Sequence, residues 1–303
     1  MKAKITIVTP SYNQGIFLRR TLDSVFNQNI EGLEYLVFDG GSKDETVEIL
    51  ESYGDRLSFV SGKDGGQSDA VNKGLLAAHG EIIGWLNSDD VYYPGSIESV
   101  LKVFEENPDV DVIYGKADHI DENDLYMEDY YTEQWDYERL KEVCFLCQPA
   151  VFFRKSVVDT FGVLNKELNY CMDYEYWMRI GAKKPFYFLN QKLAGSRLYS
   201  DNKTLGNRKA VHEEIIVMLK GKLRKAPKKW MYNLSHVITE ESGYTRANAS
   251  DNYKFVKALV LTSMKVFLKY NRHIPLTDIR AMMSWLKHAY VAKREAKRNE
   301  NRL

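Results

Sequence analysis

Short apolar runs alternate with amphipathic segments over the first 90 residues. The run at 5–8, Ile-Thr-Ile-Val, is typical of a buried strand, whereas the segment at 16–27 repeats apolar residues at helical spacing. The predicted strands are 5–8, 35–38, 57–61 and 82–86, and the predicted helices are 16–27, 46–53 and 68–78. Alternation of this kind predicts an α/β fold with a mostly parallel sheet.

The pattern changes along the chain. Residues 110–115 and 186–189 are predicted strands and 170–182 is a predicted helix, whereas helical spacing dominates after residue 205. The C-terminal helices are predicted at 211–219, 253–270 and 276–291. We therefore expect an α/β domain over 1–204 and a helical region over 205–303.

The net charge of zero conceals a division between these regions. Residues 205–303 carry 21 Lys and Arg against 8 Asp and Glu, whereas residues 1–204 carry 21 against 34. A basic region indicates an anionic partner, for which charge alone leaves a phospholipid surface and nucleic acid as candidates. The alternative is a solvated surface that packs on the acidic domain or forms a homo-oligomer.

The cysteines and the apolar stretches of the chain give expectations about the cellular compartment of the protein. The three cysteines, with no secretory h-region at the N-terminus, favour a reducing, cytoplasmic environment. Cys144 and Cys147 form a lone CxxC without a second pair or a nearby histidine, so zinc is not expected. No stretch reaches 18 apolar residues, so no transmembrane helix is expected.

Acidic loops follow three of the predicted strands, at Asp39, Asp64 and Asp89-Asp90. Ligands of such sheets bind at the carboxyl ends of the strands, so these loops are expected to face one crevice. Adjacent carboxylates repel each other, and a hard divalent cation such as Mg²⁺ or Mn²⁺, shared with a substrate phosphate, relieves this. The alternative for Asp89-Asp90 is a cap or a solvated turn.

Four ordered motifs within 4–204 together resemble the family 2 glycosyltransferases of GT-A fold. They are Thr9-Pro10-Ser11-Tyr12-Asn13, Asp39-Gly40-Gly41-Ser42-Lys43-Asp44-Glu45-Thr46, the segment Asp64-Gly65-Gly66-Gln67-Ser68-Asp69-Ala70 with Asn72-Lys73-Gly74, and Gly84-Trp85-Leu86-Asn87-Ser88-Asp89-Asp90. The resemblance implies a GT-A catalytic domain over 1–204 with a helical, basic C-terminal extension over 205–303.

The resemblance also implies roles at the donor site. Thr9, Pro10 and Tyr12 would line the nucleotide pocket, and Asp39 would bind the base, usually uracil. Asp64 would lie beside the base or ribose, and Asn72 and Lys73 would belong to the helix under the donor. Asn87 stands where many members have an Asp and would bind a ribose hydroxyl. Asp89 and Asp90 match the metal-binding motif, with the direct ligand left open between them.

Further roles fall downstream. Met172-Asp173-Tyr174-Glu175-Tyr176-Trp177 resembles the start of the helix that carries the family's general base, for which Asp173 is the first choice and Glu175 the second. The alternative is that these acids only favour the positive end of a helix. Gln148 and Trp177 would meet the acceptor, and Arg197 and Lys203 the phosphates. Tyr199 stands where relatives often carry a histidine.

The implied activity is metal-dependent, inverting transfer of a hexosyl or N-acetylhexosaminyl group from a nucleotide-diphosphate donor, UDP-linked by expectation, to a hydroxyl. The acceptor would be a glycan or a lipid-linked glycan in polysaccharide or cell-surface glycan synthesis, with no nucleic acid partner. The enzyme would be cytoplasmic, with peripheral contact at the cytoplasmic face of the membrane. The alternatives are a nucleotidyltransferase and a non-catalytic sugar-nucleotide-binding module.

Overall fold

The chain forms two compact units. A computed structural model describes residues 3–199 and 205–300. The first unit holds the described residues up to Leu205 except 141–143, and the second holds 141–143 and the residues from Gly206 onward.

The first unit is built on one nine-stranded sheet, with the strand order β3-β2-β1-β4-β8-β6-β9-β5 and β7 paired to β6. The strands are β1 Ile5–Ser11, β2 Leu33–Asp39, β3 Ser58–Ser61, β4 Ile82–Trp85, β5 Val91–Tyr92, β6 Val112–Ile120, β7 Tyr126–Asp129, β8 Val151–Arg154 and β9 Tyr187–Arg197. All seven residues of β1 are buried, as expected of a strand at the centre of a covered sheet.

Strands β3, β2, β1 and β4 pair in parallel, as the alternating sequence pattern predicts. The second half of the sheet is mixed instead. Strand β8 runs antiparallel to both β4 and β6, and β5 runs antiparallel to β9, whereas β6 and β9 are parallel. The α/β fold is therefore confirmed, with parallel pairing concentrated in the half that follows the N-terminal motifs.

Seven helices belong to the described part of the first unit: α1 Gly15–Phe26, α2 Thr46–Glu51, α3 Gln67–Ala77, α4 Ser96–Glu106, α5 Tyr137–Leu140, α6 Lys155–Phe161 and α7 Met172–Gly181. Helix α3 packs closely on β1 at Gly74. A Cβ atom there would lie 2.1 Å from Val8 Cγ1, so a side chain at this position would push the helix off the sheet.

The acidic loops lie along one edge of the sheet. Asp39 ends β2 and is paired with Ser11 at the end of β1, and Trp85 at the end of β4 is paired with Val8. Residues 87–90 follow β4 directly. Because β2, β1 and β4 are parallel neighbours, their carboxyl ends meet at this edge.

The second unit is helical, with α8 Arg208–Leu223, α9 Lys228–Glu241, α10 Ala249–Asn271 and α11 Leu276–Glu300. Successive helices pack on one another around buried side chains that include Met231, Leu234 and Phe267. The Asn271 side chain accepts a hydrogen bond from the amide nitrogen of Ala226 and donates one to the carbonyl oxygen of the same residue, each at 2.9 Å. Within the described residues, no helix combines the length and apolarity that crossing a membrane requires.

Candidate active site

A pair of adjacent carboxylates, Asp89 and Asp90, follows β4. Asp90 is 4% exposed, and its Oδ1 accepts a hydrogen bond from the backbone amide of Arg197 at 3.0 Å. Burial raises the pKa of both carboxyls, and at Asp90 the neighbouring Asp89 charge raises it further. The sequence therefore places two like charges in a poorly solvated position.

Arg197, the last residue of β9, anchors the loop that contains Asp89 and Asp90. The residue is 1% exposed, and its Nε donates to the Asp89 carbonyl oxygen at 2.7 Å and its Nη1 to the Asp121 carbonyl oxygen at 2.8 Å. The guanidinium also forms an ion pair with Asp124 and lies 4.7 Å from the centroid of the Phe17 ring. The phosphate contact expected of Arg197 is therefore replaced by a buried role in positioning Asp89.

Tyr199 connects the acidic pair to the first βα loop. Its hydroxyl donates to Asp89 Oδ2 at 3.0 Å and accepts from Gln14 Nε2 at 3.1 Å. The ring packs on Phe17 with centroids 4.9 Å apart. Tyr199 thus binds the carboxylate from the position where relatives often carry a histidine, and the sequence reasoning missed the contribution of Gln14.

Asn87 is the centre of a polar network at the same loop. Its Nδ2 donates to Gln148 Oε1 at 2.8 Å and to Asp90 Oδ2 at 3.3 Å, and its Oδ1 accepts from Trp85 Nε1 and Gln67 Nε2, each at 3.0 Å. Gln148 is buried and donates to the Trp85 carbonyl oxygen at 2.5 Å. Asn87 and Gln148 therefore hold each other, and the ribose contact expected of Asn87 and the acceptor contact expected of Gln148 stay predictions.

The carboxylate of Asp39 shapes its own loop. Its Oδ2 accepts from the amides of Gly41 and Ser42 at 3.0 and 2.9 Å and from Ser61 Oγ at 2.6 Å, and the Ser42 hydroxyl donates to Oδ1. The Gly41 φ of 84° is strained for residues other than glycine. Ser42 Oγ in turn accepts from the Asn13 amide at 2.7 Å, which joins two of the four motifs.

Tyr12 and Asp64 both lie close to Gly40 in this loop. A methyl group added at Gly40 would lie 3.2 Å from Tyr12 Cδ2 and 3.3 Å from Asp64 Oδ1, so the tyrosine ring and the carboxylate flank the same α-carbon. Tyr12 is largely exposed, and Asp64 also accepts from the Gly66 amide at 2.8 Å. The structure thus brings Tyr12, Gly40 and Asp64 together at the edge of the sheet.

Other residues expected at the nucleotide pocket are part of the scaffold. Thr9 is fully buried and its Oγ1 is hydrogen-bonded to the Tyr35 hydroxyl at 3.1 Å, and Pro10 is buried in β1. The Asn72 side chain is buried and bonds both the amide and the carbonyl of Leu164, at 2.8 and 2.9 Å. Pocket contacts by Thr9 and Asn72 are therefore corrected to packing and loop-holding roles.

Lys73 is held by an acidic neighbour on the same helix. Asp69 forms ion pairs with Lys73 at 2.9 Å and with Lys166 at 2.6 Å. These two lysines lower the pKa of Asp69 below its usual range, with help from the Gly65 amide. Lys73 remains half exposed, near the middle of α3.

The two candidate bases, Asp173 and Glu175, both lie in the first turn of α7 but have different surroundings. Glu175 is buried and paired with Arg179, whose Nη2 lies 2.8 Å from Glu175 Oε2 and whose guanidinium also donates to the carbonyls of Phe161 and Val163. Trp177 is 0% exposed and packs against other aromatic rings. Glu175 as a base and Trp177 as an acceptor contact are therefore corrected: the first is ion-paired and the second lies in the core.

Asp173 lies in the first turn of α7. Burial and the charge of Asp90 raise the pKa of the Cys147 thiol, and Asp173 adds a smaller effect on the same group. Burial, the two thiols of the CxxC segment and then Asp173 likewise raise the pKa of Tyr130. Asp90 and Asp173 therefore both influence the Cys147 thiol, and the role of Asp173 as general base stays a prediction.

Two expectations, the phosphate contact by Lys203 and the metal site, have no matching arrangement among the described residues. Lys203 lies outside the described residues. Among residues 3–199 and 205–300, no group of three or more His, Cys, Asp or Glu side chains is arranged to hold a metal. Any cation at Asp89 and Asp90 would therefore draw its other ligands from a substrate and from water.

The mixed sheet with the acidic loop after β4 defines the GT-A class of nucleotide-sugar transferases, and solved structures share this fold. S. aureus TarS 1–349 in complex with UDP-GlcNAc is 16% identical with a TM-score of 0.61, covering 98% of this chain and 92% of that chain. Mannosyltransferase PcManGT from Pyrobaculum calidifontis, in complex with GDP-Man and Mn²⁺, is 14% identical with a TM-score of 0.58, covering 97% and 86%.

Sequence relatives narrow the class to a family. The Glycosyl transferase family 2 model matches residues 6–162, more than half of the chain. An uncharacterised glycosyltransferase of Rickettsia prowazekii (strain Madrid E) is 26% identical over 316 residues, covering 93% of this chain and 96% of the relative. The chain belongs to glycosyl transferase family 2, and it is a glycosyltransferase rather than a nucleotidyltransferase.

Proposed function

We propose that this chain moves a sugar, with inversion, from a nucleotide-diphosphate donor to a hydroxyl of a glycan or lipid-linked glycan, in polysaccharide or cell-surface glycan synthesis. Asp89 and Asp90 hold the divalent cation, and Asp173 is the general base. The observation that carries the proposal is the adjacent carboxylate pair at the carboxyl end of β4, in which Asp90 is buried and Asp89 is partly exposed.

The donor set of this pair fits a hard divalent cation. Carboxylate oxygens suit Mn²⁺ and Mg²⁺, and two protein carboxylates plus substrate phosphates and water complete a common arrangement for Mg²⁺. The buried cation nearest the pair, Arg197, directs its guanidinium to backbone carbonyls and to Asp124. When bound, the metal supplies Lewis-acid stabilisation of the negative charge on the departing diphosphate.

The surface around Tyr12, Gly40 and Asp64 is the proposed base and ribose site. An aromatic ring offers a face for stacking, the carboxylate accepts from ribose hydroxyls, and Gly40 lets a planar ligand approach the backbone. Asp39 would hold the loop after β2 in its conformation. Pro10 would lie beneath the nucleotide, and Lys73 would lie on the side of the site that holds the donor. UDP is the proposed nucleotide, and the UDP-GlcNAc complex of TarS, which has the same fold, supports this choice.

Asp173 is the proposed base because it is a partly exposed carboxylate in the first turn of α7 and because it and Asp90 both influence the Cys147 thiol. Its carboxylate removes the proton from the acceptor hydroxyl as the new glycosidic bond forms at the anomeric carbon and the bond to the diphosphate breaks. Base assistance of this kind contributes about 10²–10⁴-fold to the rate. Catalysis of this kind distinguishes the enzyme from a non-catalytic sugar-nucleotide-binding module.

A donor-panel assay tests the proposal. Purified chain is incubated with UDP- and GDP-sugars, with Mn²⁺, Mg²⁺ or EDTA, and release of nucleoside diphosphate is measured with and without glycan acceptors. We expect metal-dependent release from a UDP-sugar, and its loss in Asp89→Asn.

The matched control is Asp159→Asn, which neutralises an exposed carboxylate on α6. Full release in EDTA, or equal loss in both variants, would refute the metal role of Asp89. Release that stays at background with every donor, although the nucleotides bind, would instead favour the non-catalytic module.

A further inference from the structure

Helix α11 leaves large apolar side chains in solvent along one line. Leu276, Met283 and Tyr290 are 70%, 50% and 47% exposed. They are spaced seven residues apart, which is close to two helical turns, so they share one face of the helix. Apolar groups at such regular spacing on a solvent face call for a partner.

Cations fill the same face. Arg280, Lys287 and Arg294 each follow one of these apolar residues by four positions and are exposed. The acidic side chains described on α11 point elsewhere: Asp278 is buried, and Glu295 lies about 100° around the helix from its neighbour Arg294. The strip therefore combines apolar and positive groups without an acid.

Helix α10 has a strip of the same composition. Leu261 and Leu268 are each 53% exposed, and Lys257 and Lys265 are exposed at helical spacing from Leu261. Helices α10 and α11 contact each other at one end of the α11 strip, where the ring of Tyr290 lies 5.8 Å from that of Tyr253 on α10. We call the exposed residues of α10 and α11 named here the basic-apolar face.

We propose that the basic-apolar face docks on an anionic lipid bilayer. Leucine, methionine and tyrosine side chains enter the boundary between headgroups and acyl chains, while Lys and Arg extend their charged ends to lipid phosphates. A second copy of the same face would bring cations against cations, which is repulsive. The inference rests on the second unit alone and is independent of the proposed catalytic function.

Vesicle co-sedimentation of the full chain tests this docking. The probes are phosphatidylcholine vesicles with and without phosphatidylglycerol, at low and high salt. We expect salt-sensitive binding to the anionic vesicles only. The triple variant Arg280→Gln, Lys287→Gln, Arg294→Gln is expected to bind roughly 100-fold more weakly, since each basic residue near such a surface contributes about 1 kcal/mol, or roughly fivefold.

The matched control neutralises three exposed lysines of the second unit outside the face: Lys209→Gln, Lys225→Gln and Lys228→Gln. Weaker binding in Met283→Ser, with all charges retained, is expected if side chains enter the bilayer. Absent binding by the wild type, undiminished binding in the triple variant, or equal loss in the control triple would overturn the proposal. A dimer in sedimentation velocity that Met283→Ser dissociates would assign the face to a second copy and overturn it as well.

Discussion

Removing one hydroxyl tests how the acidic pair is tuned for metal. In Tyr199→Phe the ring keeps its packing on Phe17, at a centroid distance of 4.9 Å, while the bond to Asp89 Oδ2 disappears. Gln14 loses its acceptor in the same step. The perturbation is therefore confined to the orientation and charge of one carboxylate.

The structure sets the size of the effect. A hydrogen bond to a charged group contributes about 1.5–3 kcal/mol, which corresponds to roughly 10- to 100-fold in a binding constant. Partners that orient metal ligands from behind typically contribute a similar factor to metal affinity. We expect the Mn²⁺ concentration for half-maximal transfer to rise about 10- to 100-fold in Tyr199→Phe, with near-normal turnover at saturating metal.

The assay is a metal titration of nucleoside diphosphate release at fixed donor and acceptor. Tyr187→Phe is the control, since it removes a hydroxyl from an exposed tyrosine at the start of β9, the strand that ends two residues before Tyr199. Thermal melting of both variants separates local from global effects.

Two results would refute the reasoning. An unchanged metal midpoint in Tyr199→Phe would mean that the Asp89 bond does not matter for cation binding. A loss of turnover that saturating Mn²⁺ does not restore would place the tyrosine in another part of the reaction.

Three further substitutions probe the site. Asp173→Asn should retain donor binding while turnover falls about 10²–10⁴-fold; turnover near that of the Asp159→Asn control would remove Asp173 as the base. Arg197→Met removes the donor to the Asp89 carbonyl oxygen, at about 1–3 kcal/mol, while the Asp121 carbonyl keeps its bond from the Asp124 amide, so the melting temperature should fall by at least about 2 °C; an unchanged melting curve would contradict this. Asn87→Asp sets a further carboxylate against Asp90 and should lower the melting temperature in EDTA, with partial recovery in Mn²⁺; equal melting of mutant and wild type in EDTA would argue against the network.

The parallel half of the sheet was predictable because its signals are local. The run at 5–8 lies in β1, and the helical spacing over 68–78 matches α3 within one residue at each end. In the other half, the predicted strands at 110–115 and 186–189 match the starts of β6 and β9, whereas β5, β7 and β8 were not predicted, because their patterns are mixed. Strand β9 extends through the polar residues after Leu189 as far as Arg197, paired with β6 across two register shifts that no local pattern signals.

The site was predictable at the level of motifs rather than contacts. Convergence of the loops at Asp39 and Asp89-Asp90 follows from parallel pairing and is observed. The contacts of Arg197 and Gln148 were not predictable, because both side chains reach across long sequence separations to the β4 loop. A charged or amide side chain is compatible with ligand binding and with buried support, and only the fold decides between them.

Asn87 shows why a residue that departs from a family pattern still fits its site. The side chain must donate to Gln148 and to Asp90 while accepting from Trp85 and Gln67. An amide has both donors and an acceptor oxygen, whereas an ionised carboxylate only accepts. Gln148 cannot simply turn its own amide to compensate, because its Nε2 is committed to the Trp85 carbonyl. Asparagine therefore supports the loop without adding charge, which leaves Asp89 and Asp90 as the two carboxylates of the loop for a cation.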